Sequence, residues 1–212
     1  PATQVPPAGV WPSTATRPAP YVWSDTEIRA LLNAAGGLSD PLRAATYETL
    51  LGLLAACGMR IGEALGLART DVDLERGVIT INDAKFGRSR FVPMHPTTTD
   101  ALGAYLTRRN RLCPRADTAS LFVSSRGSAL AYRSVHTTFI DLSTAIGVRT
   151  DSVRPRIHDI RHSFAVRTLI NWHRAGADIE SRMPALSHYL GHTNPSGTYW
   201  SLTVVPDLME LA

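Results

Sequence analysis

The sequence predicts a mainly α-helical domain with one small antiparallel β-sheet, an α+β fold. Apolar residues recur at helical spacing over most of the chain, and the helical segments begin or end at recognisable capping signals. Only between about residues 77 and 95 does the spacing change to strict alternation. The 212 residues and their 44% hydrophobic content are enough for one sizeable globular domain with its own core.

The first 20 residues, "PATQVPPAGVWPSTATRPAP", differ in composition from the rest. They contain six prolines and show no hydrophobic periodicity, which is typical of a linker or an extended arm. The folded domain is therefore expected over residues 21–212. A chain that starts with a linker suggests that another segment precedes it.

Two helices should open the domain, and each has a clear signal. In "SDTE", Ser24 and Glu27 have the spacing of a capping box, which predicts a helix start at Ser24. A second helix should start at Pro41 and stop at Gly58, a residue suited to a left-handed C-cap. Its later part, "LLGLLAAC", is apolar on most sides, so this helix should be central. A short helix, "RIGEALGL", should follow at once.

A β-hairpin should come next. "GVITIND" and "SRFVPMH" alternate and are rich in β-branched residues, and "AKFGR" between them places Gly87 in the turn. Helical spacing then returns in three longer segments and one short one, namely residues 98–111, 133–146, 158–175 and 206–211.

The basic residues are unusual in kind rather than in number. A net charge of +4 and a pI of about 9.5 permit a nucleic-acid partner without requiring one. Of the 22 basic residues, 21 are arginine and only Lys85 is lysine. Since lysine can release a proton and arginine cannot, Lys85 could be kept for proton transfer. The alternative is an arginine-rich coding bias with one leftover lysine.

Composition also limits the location of the protein. No apolar run is long enough to cross a bilayer, and no secretory signal opens the chain. Cys57 and Cys113 lack metal or redox spacing, which is typical of reduced thiols in a cytosolic protein. We therefore expect a cytoplasmic protein without a membrane partner.

The segment "RIHDIRHSF" offers an anion site. His158 and Arg161 are three residues apart at a helix start and so share a face, where imidazole and guanidinium could hold an anion. The alternative is a solvated polar first turn. His162 follows His158 by four residues, but "HDIRH" lacks the glutamate of a zinc-protease helix, so a metal site is disfavoured.

Two further groups of cations are candidates. Arg60 follows a buried helix and needs a partner, which Glu63 could be, either to orient Arg60 for binding or as a purely structural pair. Lys85, Arg88 and Arg90 lie at the hairpin tip and suit contact with a DNA groove or a phosphate ribbon. The alternative for these three is an exposed basic turn.

His192 closes "HYLGH" and could donate a hydrogen bond to a phosphate. A lone histidine at a helix end is more often a cap, and His188, four residues earlier, is a weaker candidate. The sequence leaves both interpretations of His192 open.

Taken in order, four segments resemble the catalytic domain of the tyrosine recombinases, the phage integrase family. Each motif is weak alone, but together they extend over nearly all of residues 21–212. The segments are "LLGLLAACGMRIGEALGLARTDVDL", "AKFGRSRFVPMH", "RIHDIRHSFA" and "LSHYLGHTNPSGTYWSL".

The resemblance implies a role for each candidate. Arg60 and Arg161 would clamp the scissile phosphate, His158 would bind it and assist proton transfer, Lys85 would protonate the departing 5′-oxygen, and His192 would add a phosphate contact. The family cleaves one DNA strand at a time through a 3′-phosphotyrosyl link and rejoins it to another duplex. No metal or other cofactor is implied, because the arginines supply the positive charge.

The resemblance also implies how the domain is used. It would follow an N-terminal core-binding domain that is absent from this chain, act on double-stranded DNA, and assemble as a tetramer on two duplexes, although a monomer is possible in solution.

The expected nucleophile is missing. In the family a tyrosine usually falls nine residues after the histidine of "LGH", and counting from His192 gives Ser201. Tyr199 lies two residues earlier, a shift of about 7 Å along an extended segment, which is more than in-line attack tolerates. Deliberate replacement, natural decay, or rescue by Tyr199 remain open. We expect a chain that binds DNA and cleaves it poorly.

Three rival functions remain at this stage. The first is a DNA relaxing or resolving enzyme that uses the same phosphate site. The second is a non-catalytic DNA-binding protein derived from a recombinase, and the third is a metal-dependent hydrolase built on "HDIRH".

Overall fold

The computed structural model describes residues 19–83, 88–116 and 118–191, and these form a helical domain with one three-stranded sheet. The described part contains seven α-helices: α1 (Asp25–Gly36), α2 (Pro41–Cys57), α3 (Ile61–Gly66), α4 (Pro96–Leu112), α5 (Tyr132–Ala145), α6 (Ile157–Arg174) and α7 (Ile179–Leu190). The strands are β1 (Val72–Asp73), β2 (Val78–Asp83) and β3 (Arg88–Pro93), and a 3-10 turn spans Arg69–Asp71. The predicted fold class is confirmed.

Helix α1 begins at the predicted capping box. The Ser24 hydroxyl accepts a hydrogen bond from the Glu27 amide at 3.2 Å, and the Glu27 carboxylate accepts one from the Ser24 amide at 2.8 Å. Each group satisfies a backbone donor that the first helical turn leaves without an intrahelical partner.

Helix α2 is the central element, as its apolar sequence predicts. Asp40 caps it through the Arg43 amide at 2.8 Å, and Pro41 occupies the first turn. Helix α2 packs against α1, α4 and α6, so most of its faces are buried.

Gly58 ends α2 in the left-handed conformation, with φ of 59°, and donates its N–H to the Leu54 carbonyl at 2.9 Å. The ring of Phe164, from α6, packs where a side chain would project. A Cβ at residue 58 would lie 2.7 Å from the Phe164 Cγ atom. Glycine is thus required for both the backbone conformation and the close approach of α6.

The sheet is antiparallel with the order β1-β2-β3, which confirms the predicted hairpin. Ile79 pairs with Val92 and Ile81 pairs with Arg90, and these four residues share the face that turns toward the core. Phe91 lies on the opposite face and is 70% exposed. The short strand β1 was not predicted.

Several boundaries differ from the sequence prediction. Helix α4 begins two residues early because the His95 ring caps it, accepting from the Thr97 amide at 3.3 Å. Helix α7 was not predicted, since Pro184 interrupts its pattern, yet Asp178 caps it and it packs on α6. The predicted arm over residues 1–18, the hairpin turn over 84–87 and the helix over 206–211 lie outside the described residues.

The apolar side chains form a main core around α2 and a smaller cluster between α6 and α7. Tyr189 packs against both, and its ring stacks on Phe164 at 5.8 Å between centroids. Of the helices in the described part, none combines the length and the apolar character that a bilayer span requires.

Candidate active site

Three arginines from three different elements meet at the end of α7. Arg60 immediately precedes α3, Arg90 lies on β3 and Arg161 lies on α6. Their guanidinium groups donate to three consecutive carbonyls, from Arg90 Nε to Tyr189 O at 3.1 Å, from Arg161 Nη2 to Leu190 O at 2.6 Å and from Arg60 Nη2 to Gly191 O at 2.7 Å. The last carbonyls of a helix lack intrahelical partners and carry partial negative charge, so they hold cations well.

Gly191 allows this convergence because it has no side chain. It adopts the left-handed conformation with φ of 67°, and a Cβ there would lie 2.9 Å from the Arg90 Nη1 atom and 3.3 Å from the Arg60 Nη1 atom. Any other residue would push at least one guanidinium away from the end of α7.

Glu63 forms ion pairs with two of these arginines and so bridges them. Its Oε1 atom is 2.9 Å from Arg60 Nη1 and its Oε2 atom is 2.7 Å from Arg90 Nη2. The same carboxylate accepts the Arg60 backbone N–H at 2.7 Å. Burial alone would raise the pKa of Glu63, but the hydrogen bonds from Arg90 and Arg60 outweigh it and hold the pKa below 4.5.

Arg161 is the most buried of the three, with 4% of its surface exposed. Its second hydrogen bond runs from Nη1 to the Gly58 carbonyl at 2.8 Å, which ties α6 to the end of α2. Burial and the nearby charge of Arg60 lower its pKa to about 9, while Glu63 opposes this shift. Arg161 therefore remains charged at neutral pH, and the site holds positive charge that it only partly neutralises.

His158 lies three residues before Arg161, on the first turn of α6. Desolvation and the positive charge of Arg161 lower its pKa below 6.5. A lowered pKa favours the neutral imidazole, in which one ring nitrogen can accept a hydrogen bond while the other donates one.

The start of α6 is held firmly in place. Asp159 is buried and pairs with Arg156 at 2.8 Å, and its carboxylate also accepts the Arg156 amide at 2.7 Å. One turn later the Ser163 hydroxyl accepts the Trp23 amide at 2.8 Å. His158 and Arg161 thus project from a helix end whose position is fixed from both sides.

The structure brings Arg60, His158 and Arg161 to one place. Arg88 opens β3, but its side chain and the whole of Lys85, His192, Tyr199 and Ser201 lie outside the described residues. His188 is an exposed residue in the last turn of α7. The described residues contain no group of three or more histidine, cysteine, aspartate or glutamate side chains that could hold a metal ion, which gives "HDIRH" no ligand set there.

Arg90 differs from the expectation of a protruding cation. Its side chain is only 14% exposed and points toward Glu63 and the end of α7. The signal was present in the alternation of β3, because Arg90 shares a face with the buried Val92 and lies opposite the buried Ile81. Sequence reasoning also missed the second partner of Glu63 and the role of the three carbonyls.

Comparison with known proteins gives one consistent answer. Residues 22–201 match the model of the phage integrase family. The chain is 45% identical over 222 residues to a putative integrase/recombinase, y4rB, of Sinorhizobium fredii, with 100% of this chain and 70% of that protein covered. It is 33% identical over 207 residues to the tyrosine recombinase XerD of Mycobacterium tuberculosis, with 95% and 63% covered.

Solved structures agree on the fold. The crystal structure of XerA recombinase has a TM-score of 0.74 at 26% identity and covers 97% of this chain and 66% of that one. XerH bound to its palindromic difH substrate, in a post-cleavage complex, has a TM-score of 0.72 at 23% identity, with 91% and 52% covered. The chain thus spans roughly two thirds or less of the length of several of these relatives.

Proposed function

Since the chain belongs to the phage integrase family, the tyrosine recombinases, we propose that residues 21–212 supply the catalytic domain of a site-specific DNA recombinase. The observation that carries this proposal is the convergence of Arg60 and Arg161 beside His158. Two guanidinium groups and an imidazole on fixed elements suit a phosphodiester, whose oxygens gain negative charge during transfer.

Arg60 and Arg161 would bind the non-bridging oxygens of the scissile phosphate. Their bonds to the described residues use only part of their N–H donors, so others remain for an anion. The carbonyls of residues 58, 190 and 191 hold the guanidinium planes before DNA arrives. This preorganisation stabilises charge in the transition state without a rearrangement at the moment of reaction.

Proton transfer and further phosphate contacts would be the roles of His158, Lys85 and His192. The lowered pKa of His158 favours its neutral form, which can accept a proton from the nucleophile or donate a hydrogen bond to the phosphate. Lys85 would protonate the departing 5′-oxygen, which arginine does poorly because it holds its proton too tightly. His192 follows Gly191 directly in the sequence, so it comes straight after the carbonyl that Arg60 binds.

We assign the family's nucleophile position to Ser201, where the expected tyrosine is replaced. An alkyl hydroxyl is a much weaker acid than a phenol, and the serine side chain is shorter, so cleavage should be very slow. The non-catalytic DNA-binding protein therefore remains a second candidate function, favoured by Ser201 alone. Tyr199 remains the alternative nucleophile.

The partner would be duplex DNA, and the protein would need no cofactor. XerH is bound to its difH substrate, and a lambda integrase dimer is bound to a core site, in structures that share this fold. By analogy we propose a tetramer on two duplexes, in which an N-terminal core-binding domain also binds the DNA. Arg88, which opens β3, would add a contact near the hairpin tip.

The test uses the full-length protein and a library of duplexes that carry a nick within random sequence. A nick beside the cleavage point lets the short strand diffuse away and traps the covalent protein–DNA adduct. The adduct is measured on denaturing gels, and its attachment residue is identified by mass spectrometry. The proteins are the unaltered chain, Ser201→Tyr, Tyr199→Phe and Ser201→Tyr combined with Arg60→Gln.

We expect adducts from Ser201→Tyr alone, attached at residue 201, and very few from the unaltered chain. The Arg60→Gln combination should abolish them, because the phosphate clamp is then incomplete. An adduct at Tyr199 in the unaltered chain would overturn the assignment of Ser201. If Ser201→Tyr binds DNA without forming adducts, the non-catalytic alternative replaces the recombinase.

A further inference from the structure

A second group of arginines surrounds a cavity of 460 Å³ at the other end of α2. The cavity lies between the start of α2, the loop around residues 123–130 and the first half of α5. Its polar lining consists of two arginines, one tyrosine and five hydroxyl residues, namely Arg43, Arg133, Tyr47, Ser124, Ser125, Ser134, Thr137 and Thr138. We call it the Arg43–Arg133 cavity.

The charge of this cavity is not balanced by acidic groups in the described part of the chain. Among its described lining residues none is acidic, and neither Arg43 nor Arg133 forms an ion pair with a described residue. The 360 Å³ cavity beside α4 differs, because Glu48 and Arg108 both line it and pair at 3.9 Å. Two unpaired cations that face one concave space attract an anion.

Arg43 is held ready for such a ligand. Its Nη2 atom donates to the Thr138 hydroxyl at 2.8 Å, and its guanidinium lies over the Tyr47 ring at 5.6 Å from the centroid. These contacts fix the guanidinium plane without neutralising its charge, so less side-chain entropy is lost on binding. Arg133 is exposed on α5 and can adjust to the ligand.

The hydroxyl groups complete a site suited to phosphate. Ser134 and Thr137 are exposed, lie three residues apart on α5 and face the same cavity as Arg133. Guanidinium and hydroxyl donors together are the groups that proteins use to hold phosphate oxygens in a DNA backbone. An apolar ligand would instead leave two arginines without a partner.

The position of the cavity fits a duplex that also reaches the candidate active site. Arg43 and Gly58 are separated along α2 by about 22 Å, which corresponds to about 6 to 7 base pairs of helical rise. Helix α5, which borders the cavity, also packs on α3, the helix that begins just after Arg60. One helix therefore lies beside both groups of arginines.

We propose that the Arg43–Arg133 cavity binds a phosphate of the DNA backbone several base pairs from the cleaved bond. The cavity anchors the duplex and takes no part in the chemistry. This inference rests on the proposed function, because it assumes that DNA is the partner.

The first test compares two single substitutions of equal charge in the full-length protein. Arg133→Gln removes the exposed cavity arginine, and Arg76→Gln removes an exposed arginine from the end of the hairpin opposite Lys85. Binding is measured by fluorescence anisotropy on two duplexes of unrelated sequence. Arg133→Gln should weaken binding to both by roughly tenfold, since a charge-assisted hydrogen bond is lost, and Arg76→Gln by less than about twofold.

The second test uses the salt dependence of the affinity to count the DNA phosphates that the protein contacts. The double variant Arg43→Gln/Arg133→Gln should reduce the slope of log affinity against log salt by about one relative to the unaltered chain, because both arginines hold one phosphate. Thermal unfolding checks that the double variant remains folded, since Arg43 is half-buried. If the double variant does not fold, Thr137→Asp is used instead, with Thr137→Asn as its control, because a carboxylate in the cavity repels phosphate.

The outcomes separate the two proposals. If the unaltered chain binds neither duplex in a salt-dependent way, DNA is not the partner and both proposals fail. If it binds but Arg133→Gln behaves like Arg76→Gln, or the slope of the double variant is unchanged, only the cavity proposal fails. A loss confined to one duplex indicates base contact and also overturns the assignment to a phosphate.

Discussion

The arginine groups at the two ends of α2 differ in the partners that hold them. At the C-terminal end, Arg60, Arg90 and Arg161 are held by the Glu63 carboxylate and by backbone carbonyls. At the N-terminal end, the described residues hold the Arg43 guanidinium only through a hydroxyl and a ring, and Arg133 is exposed. The first group is fixed and partly neutralised, whereas the second keeps its charge available.

This difference corresponds to two uses of a guanidinium group, stabilising charge in a transition state and anchoring a phosphate. A site that stabilises charge in a transition state needs donors in fixed positions, so its guanidinium groups are already hydrogen-bonded to other groups of the protein. A site that only anchors a backbone phosphate needs free charge and tolerates adjustment. Substitutions at the fixed end should therefore affect stability strongly, and those at the other end should affect it weakly.

The largest expected effect comes from Gly58→Ala, at the joint between α2 and the fixed arginines. The new Cβ would strain the left-handed backbone and overlap the Phe164 ring, which is 2.7 Å away at Cγ. We expect a loss of about 3 kcal/mol in the free energy of unfolding, from about 1–2 kcal/mol of backbone strain and a similar amount of overpacking. Denaturant unfolding followed by circular dichroism measures it.

Gly147→Ala is the matched control. Gly147 also has a positive φ, of 75°, but nothing lies within 4 Å of its added Cβ. It should lose only about 1 kcal/mol, the strain alone. Equal losses in the two variants would mean that the contact between Phe164 and Gly58 does not hold α6 against α2.

Local signals account for the part of the fold that the sequence predicted. The capping box at Ser24, the Pro41 start and the Gly58 stop are each decided within a few residues, and the structure confirms all three. Helix α7 was missed because Pro184 disrupts its pattern and its stability comes from packing on α6. Such packing depends on residues far away in the sequence, which local periodicity does not register.

The second effect in size is expected from Glu63→Gln. The substitution leaves Arg60 and Arg90 close to the buried Arg161 without the carboxylate that offsets their charge. Removing one partner of a buried pair typically costs 3–5 kcal/mol, and we expect about 2 kcal/mol because Arg60 is partly exposed. Glu48→Gln is the control, since its exposed pair with Arg108 should contribute less than about 0.5 kcal/mol.

The loss in Glu63→Gln should depend on pH. The pKa of Glu63 is lowered below 4.5 in the folded protein, so its stabilisation is fully present above about pH 4.5 and disappears as pH falls through the lowered value. Glutamine does not titrate. The difference in unfolding free energy between the two proteins should therefore shrink below pH 4.5, and a difference that stays constant down to pH 2 would contradict the ion-pair account.

The candidate site could be predicted only in part, for a similar reason. Arg60, His158 and Arg161 were singled out as candidates because each stands beside a local landmark in its own motif. The inward direction of Arg90 depends on strand register, and the Arg43–Arg133 cavity is assembled from segments more than 70 residues apart. No motif marks the cavity, because its lining residues come together only in the folded domain.

The smallest expected effect is that of Thr138→Val, which removes the hydroxyl that holds Arg43 while nearly keeping the side-chain shape. Arg43 is half-buried and can turn to water, so we expect a loss of at most about 1 kcal/mol in unfolding free energy and a two- to threefold weaker affinity for duplex DNA. Thr107→Val is the control, because the one bond that its hydroxyl forms with described residues goes to the Gly103 carbonyl within α4. If Thr138→Val destabilises the protein as much as Glu63→Gln does, Arg43 is a structural arginine, and the contrast between the two ends of α2 is wrong.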